Sequence, residues 1–368
     1  MASSDDHDEY EDPEYFGSRY FKDFNEISEI GHGGFGVVFS CQHKLDEKMY
    51  AIKKIRLSSA DVDDISNKEI IREVIIHSSL NHQHIVRYHQ AWIESGVAYE
   101  SNSSCGTLLE AEQAEDSIYL HIQMECCIRT LKDMLGPENS PLGEEVAWRV
   151  FYQILKGLEH IHHHGIIHGD LTPSNIFLDA NDNVKIGDFG LARRIFSDHD
   201  TQIPSETPLH GTSFYIAPET RSGPMTEKVD IYCVGVIFFE LCFPFSTEME
   251  RRIVLSDLRE KNILPTEWTT HYPQQADILR RLLSASPSCR PTATETLQLL
   301  PFAPGREWSA TVSATSAAKS ETVVVAVDYG RERGTGDHGV GVVSDGCRRQ
   351  RNGVVRWSDG VRWRRQVE

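Results

Sequence analysis

Two groups of residues in this sequence have the types and spacing to handle a phosphorylated ligand. In IGHGGFGVVF, Gly31, Gly33 and Gly36 form G-x-G-x-x-G, with Ile30 before them, Gly34 among them and Val38 two residues beyond. Glycines let bare backbone N–H groups come close to anionic oxygens. Strand-like runs lie on both sides, so the loop is a hairpin over phosphates and not the helix-opening turn of a dinucleotide site. The second group is HGIIHGDLTPSNIF, residues 164–177, with Asp188-Phe189-Gly190 following it. Asp170, Asn175 and Asp188 bring oxygen donors suited to hard divalent cations and a carboxylate able to take a hydroxyl proton. A buried ammonium would complete such a site, and Lys53 in YAIK is a candidate, with Glu73 or, one turn earlier, Glu69 as its acidic partner. The chemistry these groups support is phosphoryl transfer, which consists mostly of positioning and charge stabilisation.

Such groups must be held by two kinds of element. From Phe24 the chain runs through β-type segments, FNEISEI, VVFSCQH and MYAIKKIRL, separated by Gly-rich or polar turns. A helical segment follows with Ile65, Ile70, Val74 and Ile75 on one expected apolar face, and then the strand candidates IVRYHQAWI and SIYLHIQME. The polar stretch 95–116 between those strands is expected to loop out of the sheet. Beyond Cys127 the pattern is helical: VAWRVFYQILKGLEHIHHHG stops at Gly165, and KVDIYCVGVIFFELC, MERRIVLSDLR, ADILRRLLS and TATETLQLL follow. The expected fold class is therefore α+β, with a small antiparallel β-sheet lobe carrying one helix over residues 20–127 and a larger helical lobe over 128–302. Residues 1–19 form an acidic arm expected to be disordered. Residues 303–368 show no sustained period of either kind and are expected to be a disordered tail.

The 39% hydrophobic and 25% charged composition is that of a globular protein, and a net charge of -18 argues against direct nucleic-acid contact. The eight cysteines form no C-x-x-C pair, which favours reduced thiols. No apolar run is long enough to span a membrane comfortably, and the acidic start is unlike an export signal. The expected location is cytoplasmic. The histidines His160 and His162 to His164 are read as helix-end residues facing solvent or the helix dipole.

Taken in order, these motifs resemble a eukaryotic protein kinase domain over about residues 20–302. The resemblance implies ATP as phosphoryl donor and Mg2+ as metal. It places ATP against Ile30, Gly31, Gly33, Gly34, Gly36, Val38, Ala51, Lys53, Glu73, Met124, Glu125 and Cys127. Asp170 is then the residue that orients the acceptor hydroxyl, with Lys53 and Thr172 assisting, and Asn175 and Asp188 are the metal ligands. Thr207 and Thr212 match activation-loop threonines, with Thr207 the phosphoacceptor candidate, Glu219 needs a buried cation for which Arg290 is placed, and Asp230 braces the catalytic loop.

Three further stretches, SRYFKDFNEI, IVRYHQAWIE and FFELCFPFSTEMERRIVLSDLR, resemble the kinases of the alpha subunit of translation initiation factor 2. That resemblance implies the alpha subunit as substrate, docked through Thr247, Met249, Glu250 and Arg251, and homodimers formed through the small lobe. Two positions depart from the usual H-R-D-x-K pattern, Gly169 for Arg and Thr172 for Lys. Losing the Lys removes a helper worth about 1.5 to 3 kcal/mol, and losing the Arg removes a grip on activation-loop phosphate. Two other readings follow from these departures and from the breadth of the fold: a nucleotide-binding pseudokinase scaffold, and a serine/threonine kinase with another protein substrate.

Overall fold

The computed structural model describes residues 18–33, 36–58, 64, 67–96, 117–127, 129–136, 142–195, 214–221, 224–301 and four short strands between 324 and 365. The acidic arm, except Ser18 and Arg19, and most of the 95–116 insertion lie outside the described residues. The chain divides into two units, Met1–Pro301 and Phe302–Glu368.

The first unit opens with a short helix, α1 (Arg19–Asp23), whose N-cap Ser18 accepts a hydrogen bond from the Phe21 N–H. Five antiparallel strands follow, β1 (Phe24–Gly33), β2 (Gly36–His43), β3 (Met49–Leu57), β4 (Tyr88–Gly96) and β5 (Ser117–Glu125), in the sheet order β1-β2-β3-β5-β4. Because side chains alternate along a strand, the sheet has two apolar faces. Tyr20, Phe24, Phe39, Cys41 and Ile52 make one, and α1 delivers Tyr20 to it. Ile55, Leu57, Leu120 and Ile122 make the other, covered by α2 (Lys68–Ser78) through Ile70, Ile71 and Val74.

Of the apolar face expected from sequence, Ile65 lies outside the described residues, and α2 keeps Ile70 and Val74 against the sheet and turns Ile75 away from it. Its buried residues are Glu73, Ile76 and His77, while Ile75 is 54% exposed. The pull of Lys53 on Glu73 selects the inward stripe, and the helical period then turns Ile75 to solvent. Burial also lowers the pKa of His77 to about 4. The unfolded chain thus binds a proton that the folded chain refuses, so His77 costs stability as pH falls from about 6.5 towards 4 and costs nothing above that window. Replacing His77 with Gln should recover up to about 3 kcal/mol at pH 4.5 relative to pH 7.5, measured as the difference between urea unfolding curves at the two pH values. An equal effect at both would refute the assignment.

The helix-rich part begins with β6 (Arg129–Thr130) and α3 (Leu131–Met134), where Thr130 and Asp133 form a reciprocal capping box. Next come α4 (Glu144–His163), β7 (Ile166–Ile167), β8 (Ile176–Leu178), β9 (Val184–Ile186) and β10 (Arg193–Arg194). Strands β6, β8 and β9 form one small sheet, and β7 pairs with β10, so the loops between them are held at both ends. A 3-10 turn at Pro218–Arg221 leads to α5 (Lys228–Cys242). Every residue from Val229 to Leu241 of α5 is buried, as expected of a helix apolar on all sides. It is the central post of this lobe: Phe238 stacks on Phe151 of α4 at 3.9 Å, and a Cβ at Gly235 would lie 2.9 Å from Leu282. Around it lie α6 (Glu248–Lys261), α7 (Thr266–His271), α8 (Pro273–Leu282) and α9 (Ala293–Leu299). No helix among the described residues is long and apolar enough to cross a membrane.

The second unit, read from sequence as a tail without regular structure, contains short strands. Strands β11 (Val324–Val327), β12 (Gly339–Val342), β13 (Val355–Arg356) and β14 (Arg362–Arg365) pair antiparallel in the order β12-β11-β14-β13. The β-branched run ETVVVAV supplies a strand centre, and the segments pairing with it are too short to show a period by themselves.

Candidate active site

The glycine hairpin joins β1 to β2, and its register pairs Gly33 with Gly36 and Gly31 with Val38. Gly36 is required by geometry: its φ is +129°, and a Cβ there would meet the Lys54 carbonyl oxygen at 2.2 Å. Gly31 is less constrained, with only ordinary contact to Val38 at 3.7 Å. Ile30 is 47% exposed, and Gly34 lies outside the described residues.

In β3, Ala51 pairs with Met124 and Lys53 with Ile122 of β5. Lys53 Nζ donates to Glu73 Oε1 at 2.7 Å and to Asp188 Oδ1 at 3.2 Å. Burial alone would lower the Lys53 pKa, but these two carboxylates outweigh it and raise it, so the ammonium stays charged. Glu73 is thus the partner, and Glu69 instead accepts from Arg72 on the surface. Asp188 has a φ of +60°, and Phe189 behind it is buried against His77 at 4.9 Å and His168 at 5.1 Å. Phe189 packing beneath α2 keeps Asp188 turned towards Lys53.

The catalytic loop is held from below. The Asp230 carboxylate of α5, fully buried, accepts from the His168 and Gly169 N–H groups, each at 2.9 Å. Burial would raise the Asp230 pKa, but bonds from His162 and the loop hold it low. His168 Nε2 donates to the Gly187 carbonyl at 3.1 Å, tying the loop to the strand before Asp188. Asn175 Nδ2 donates to the backbone and side-chain oxygens of Asp170, both at 2.9 Å, and the Asn175 carbonyl accepts from Gly187 N–H at 3.0 Å. Burial pushes the Asp170 carboxyl up, partly offset by His168.

With its amide nitrogen engaged, Asn175 keeps Oδ1 for a cation, and Asp188 keeps Oδ2. Two hard oxygens on adjoining segments fit a divalent ion. The Thr172 carbonyl accepts from Asn175 N–H at 3.0 Å, and its hydroxyl bonds to none of the described residues.

Gly169 has a φ of +79°, held there by Asp230. The left-handed conformation costs a side-chain-bearing residue roughly 1 to 2 kcal/mol, so glycine gives up a cation at this position and gains a relaxed backbone. Gly169→Ala should lower unfolding stability by at least about 1 to 2 kcal/mol, because beyond the backbone strain the added Cβ would lie 2.6 Å from the flexible Met225 methyl and 3.2 Å from the Leu191 carbonyl oxygen. A variant as stable as the parent in denaturant titration would contradict the strain.

At the junction of the lobes the Glu125 side chain pairs with Lys185 of β9 at 2.8 Å and accepts from Arg87 N–H at 3.1 Å. Burial pushes the Cys127 thiol up to about 12, so it is a neutral packing group. Thr207 and Thr212 lie outside the described residues. The docking candidates separate: Thr247 caps α6 by accepting from Glu250 N–H, and Glu250 accepts from Ser246 N–H. Met249 is 68% exposed, whereas Arg251 turns inward to Glu240 and Tyr215.

Sequence reasoning missed several contributors. His162 does not face solvent or the dipole: its Nε2 lies 2.9 Å from Asp230. Its signal was helical phase, four residues after buried Leu158. His163 and His164 do bond the helix-end carbonyls of Glu159 and His160. Ile253, 56% exposed one turn after Met249, extends the apolar face of α6. Lys185 and Tyr215 gave no local signal.

A glycine hairpin over an ammonium–carboxylate pair, facing a braced Asp/Asn loop, defines an ATP-dependent protein phosphotransferase that uses a divalent metal. The family model of the protein kinase domain matches residues 24–300, and the chain belongs to that family, with the serine/threonine kinases. It is 43% identical over 312 residues to the eIF-2-alpha kinase GCN2 of Arabidopsis thaliana, covering 76% of this chain and 25% of that one. It is 31% identical over 375 residues to the eIF-2-alpha kinase GCN2 of Schizosaccharomyces pombe, covering 76% and 23%. To the interferon-induced, double-stranded RNA-activated protein kinase of Rattus norvegicus it is 35% identical over 290 residues, covering 77% and 52%. The chain therefore spans about a quarter of the first two relatives and about half of the third.

Proposed function

We propose that this chain is an active, cytoplasmic kinase that transfers the γ-phosphoryl group of Mg-ATP to a serine of the alpha subunit of translation initiation factor 2, restraining translation under stress. The observation that carries activity is the joined set Lys53–Glu73, Lys53–Asp188 and Asp170–Asn175, with its bonds between 2.7 and 3.2 Å. A pseudokinase that bound nucleotide would use Lys53, Glu73 and Asp188, and the bonded Asp170–Asn175 pair is the part that favours transfer. The substrate is inferred from the relatives named eIF-2-alpha kinases and from the exposed Met249 and Ile253 on α6.

In the reaction, Asp170 accepts a hydrogen bond from the acceptor serine and orients its oxygen in line with the γ-phosphorus. The new O–P bond forms as the bond to the β–γ bridging oxygen breaks; ADP leaves and the serine proton passes to Asp170. Lys53 holds the α- and β-phosphates, and Glu73 holds Lys53. Asp188 and Asn175 would hold Mg2+, which would neutralise phosphate charge. Thr172 offers a hydroxyl where relatives of the usual pattern offer an ammonium.

The site is served by protein contacts, and the acidic surface is read as having no direct nucleic-acid contact. Homodimers through the small lobe belong to the same reading. The test is phosphorylation of the purified alpha subunit with Mg-ATP, using Asp170→Asn as control; equal incorporation by the two proteins would discard the kinase reading. Incorporation into other proteins but not the alpha subunit would leave a serine/threonine kinase of different specificity.

A further inference from the structure

Arg251 sits in the docking helix by sequence but not by geometry. On α6 it lies two residues from Met249, about 200° around the helix, so the two side chains leave on opposite faces. Arg251 Nε donates to Glu240 Oε1 at 2.6 Å, Nη2 donates to the Tyr215 hydroxyl at 2.9 Å, and Nη1 reaches Glu248 at 3.3 Å. The Tyr215 hydroxyl in turn donates to the other oxygen of Glu240. Glu240 is 5% exposed, so both carboxylate oxygens are satisfied from inside the protein.

Glu240 and Asp230 stand on the same buried helix, α5. Ten residues of helix separate them by about 15 Å. One carboxylate holds the loop bearing Asp170. The other holds Tyr215, whose carbonyl also accepts from Cys233 of α5 at 2.9 Å. Tyr215 lies in the segment leading into the 3-10 turn at Pro218–Arg221, and the Cys233 thiol that its carbonyl accepts from is close enough to Asp170 for that carboxylate to help push the thiol pKa up. Burial works against the charge on Glu240, and Arg251 is the cation that opposes this.

We propose that Arg251 is a positioning residue for the acceptor: through Tyr215 and Glu240 it locks the acceptor-side loop to the helix that also holds the catalytic loop. This deepens, and for its protein substrate rests on, the proposed function. A residue in this role sets the turnover of any acceptor. A residue of the docking face sets only the affinity of a substrate large enough to reach it.

The test uses the full chain with two acceptors, the purified alpha subunit and a short serine peptide too small to touch α6. Arg251→Ala should lower kcat roughly ten- to a hundredfold on both acceptors, the loss expected for charge-assisted hydrogen bonds, with the KM for the alpha subunit unchanged. Tyr215→Phe removes only the shared hydroxyl and should show the same pattern, and it carries the test where Arg251→Ala fails to fold. The double variant should be no slower than the slower single one, because the two groups act as a unit. Arg251→Lys should regain part of the rate, since it restores charge without the fork.

A raised KM for the alpha subunit with peptide kcat at the parental value would overturn the proposal and return Arg251 to the docking face. Additive losses in the double variant would overturn it too. A parent that phosphorylates the peptide but never the alpha subunit would sink the substrate reading alone, with Arg251 still judged on the peptide.

Discussion

Asp170→Asn is expected to lower kcat by about 10²- to 10⁴-fold, the range for removing a general base, while ATP affinity stays near the parental value. The substitution keeps shape: an amide oxygen still accepts from Asn175 Nδ2, now 2.9 Å from the carboxylate, so the loop has no reason to move. What disappears is the negative charge that orients and deprotonates the hydroxyl. In the proposed site ATP would contact the hairpin, Lys53 and the metal held by Asp188 and Asn175, and of these only Asn175 touches Asp170, through a bond that the amide keeps. Steady-state kinetics with calorimetric titration of ATP separates the two quantities. A parental kcat would mean that the nucleophile is activated elsewhere, and a lost ATP affinity would mean that Asp170 is structural.

Arg290→Ala should destabilise the fold by about 3 to 5 kcal/mol, the range for breaking a buried ion pair from one side. Arg290 is 2% exposed and holds both oxygens of Glu219, one of them at 2.9 Å. It also donates to the carbonyls of Lys228 and Ser284, at 2.9 and 2.8 Å, and lies 5.0 Å from the Tyr232 ring. Truncation strands Glu219 and two carbonyls together, so one residue accounts for several unmet hydrogen bonds. Chemical denaturation measures the loss. Changing Glu219 to Gln in the same background should recover part of it, because a neutral amide tolerates burial better than an unpaired carboxylate. A change below about 1 kcal/mol would place the pair among surface bridges of small effect.

Much of the fold was legible because its signals are local. The alternating β-type runs became β1 to β5, and KVDIYCVGVIFFELC became α5 residue for residue. Lys53–Glu73 and Glu219–Arg290 were expected pairs and are present at hydrogen-bond distance. Ile75 was misplaced because the inward stripe of α2 runs through Glu73, Ile76 and His77, and hydrophobicity ranks Ile75 above the polar residues that are buried instead. The strands between 324 and 365 gave no sequence signal because two to four residues carry too little pattern.

Short-range spacing already dictated the chemistry. Asp170 and Asn175 are five residues apart in one loop, and the hairpin glycines lie within six residues, so backbone geometry leaves those groups few other arrangements. Folding alone assigned other supports: Lys185 reaches Glu125 across 60 residues, and Arg251 reaches Tyr215 across 36. A charged side chain takes whichever buried counter-charge the packed core brings within reach. That choice depends on helix rotation and loop course, which no window of the chain encodes.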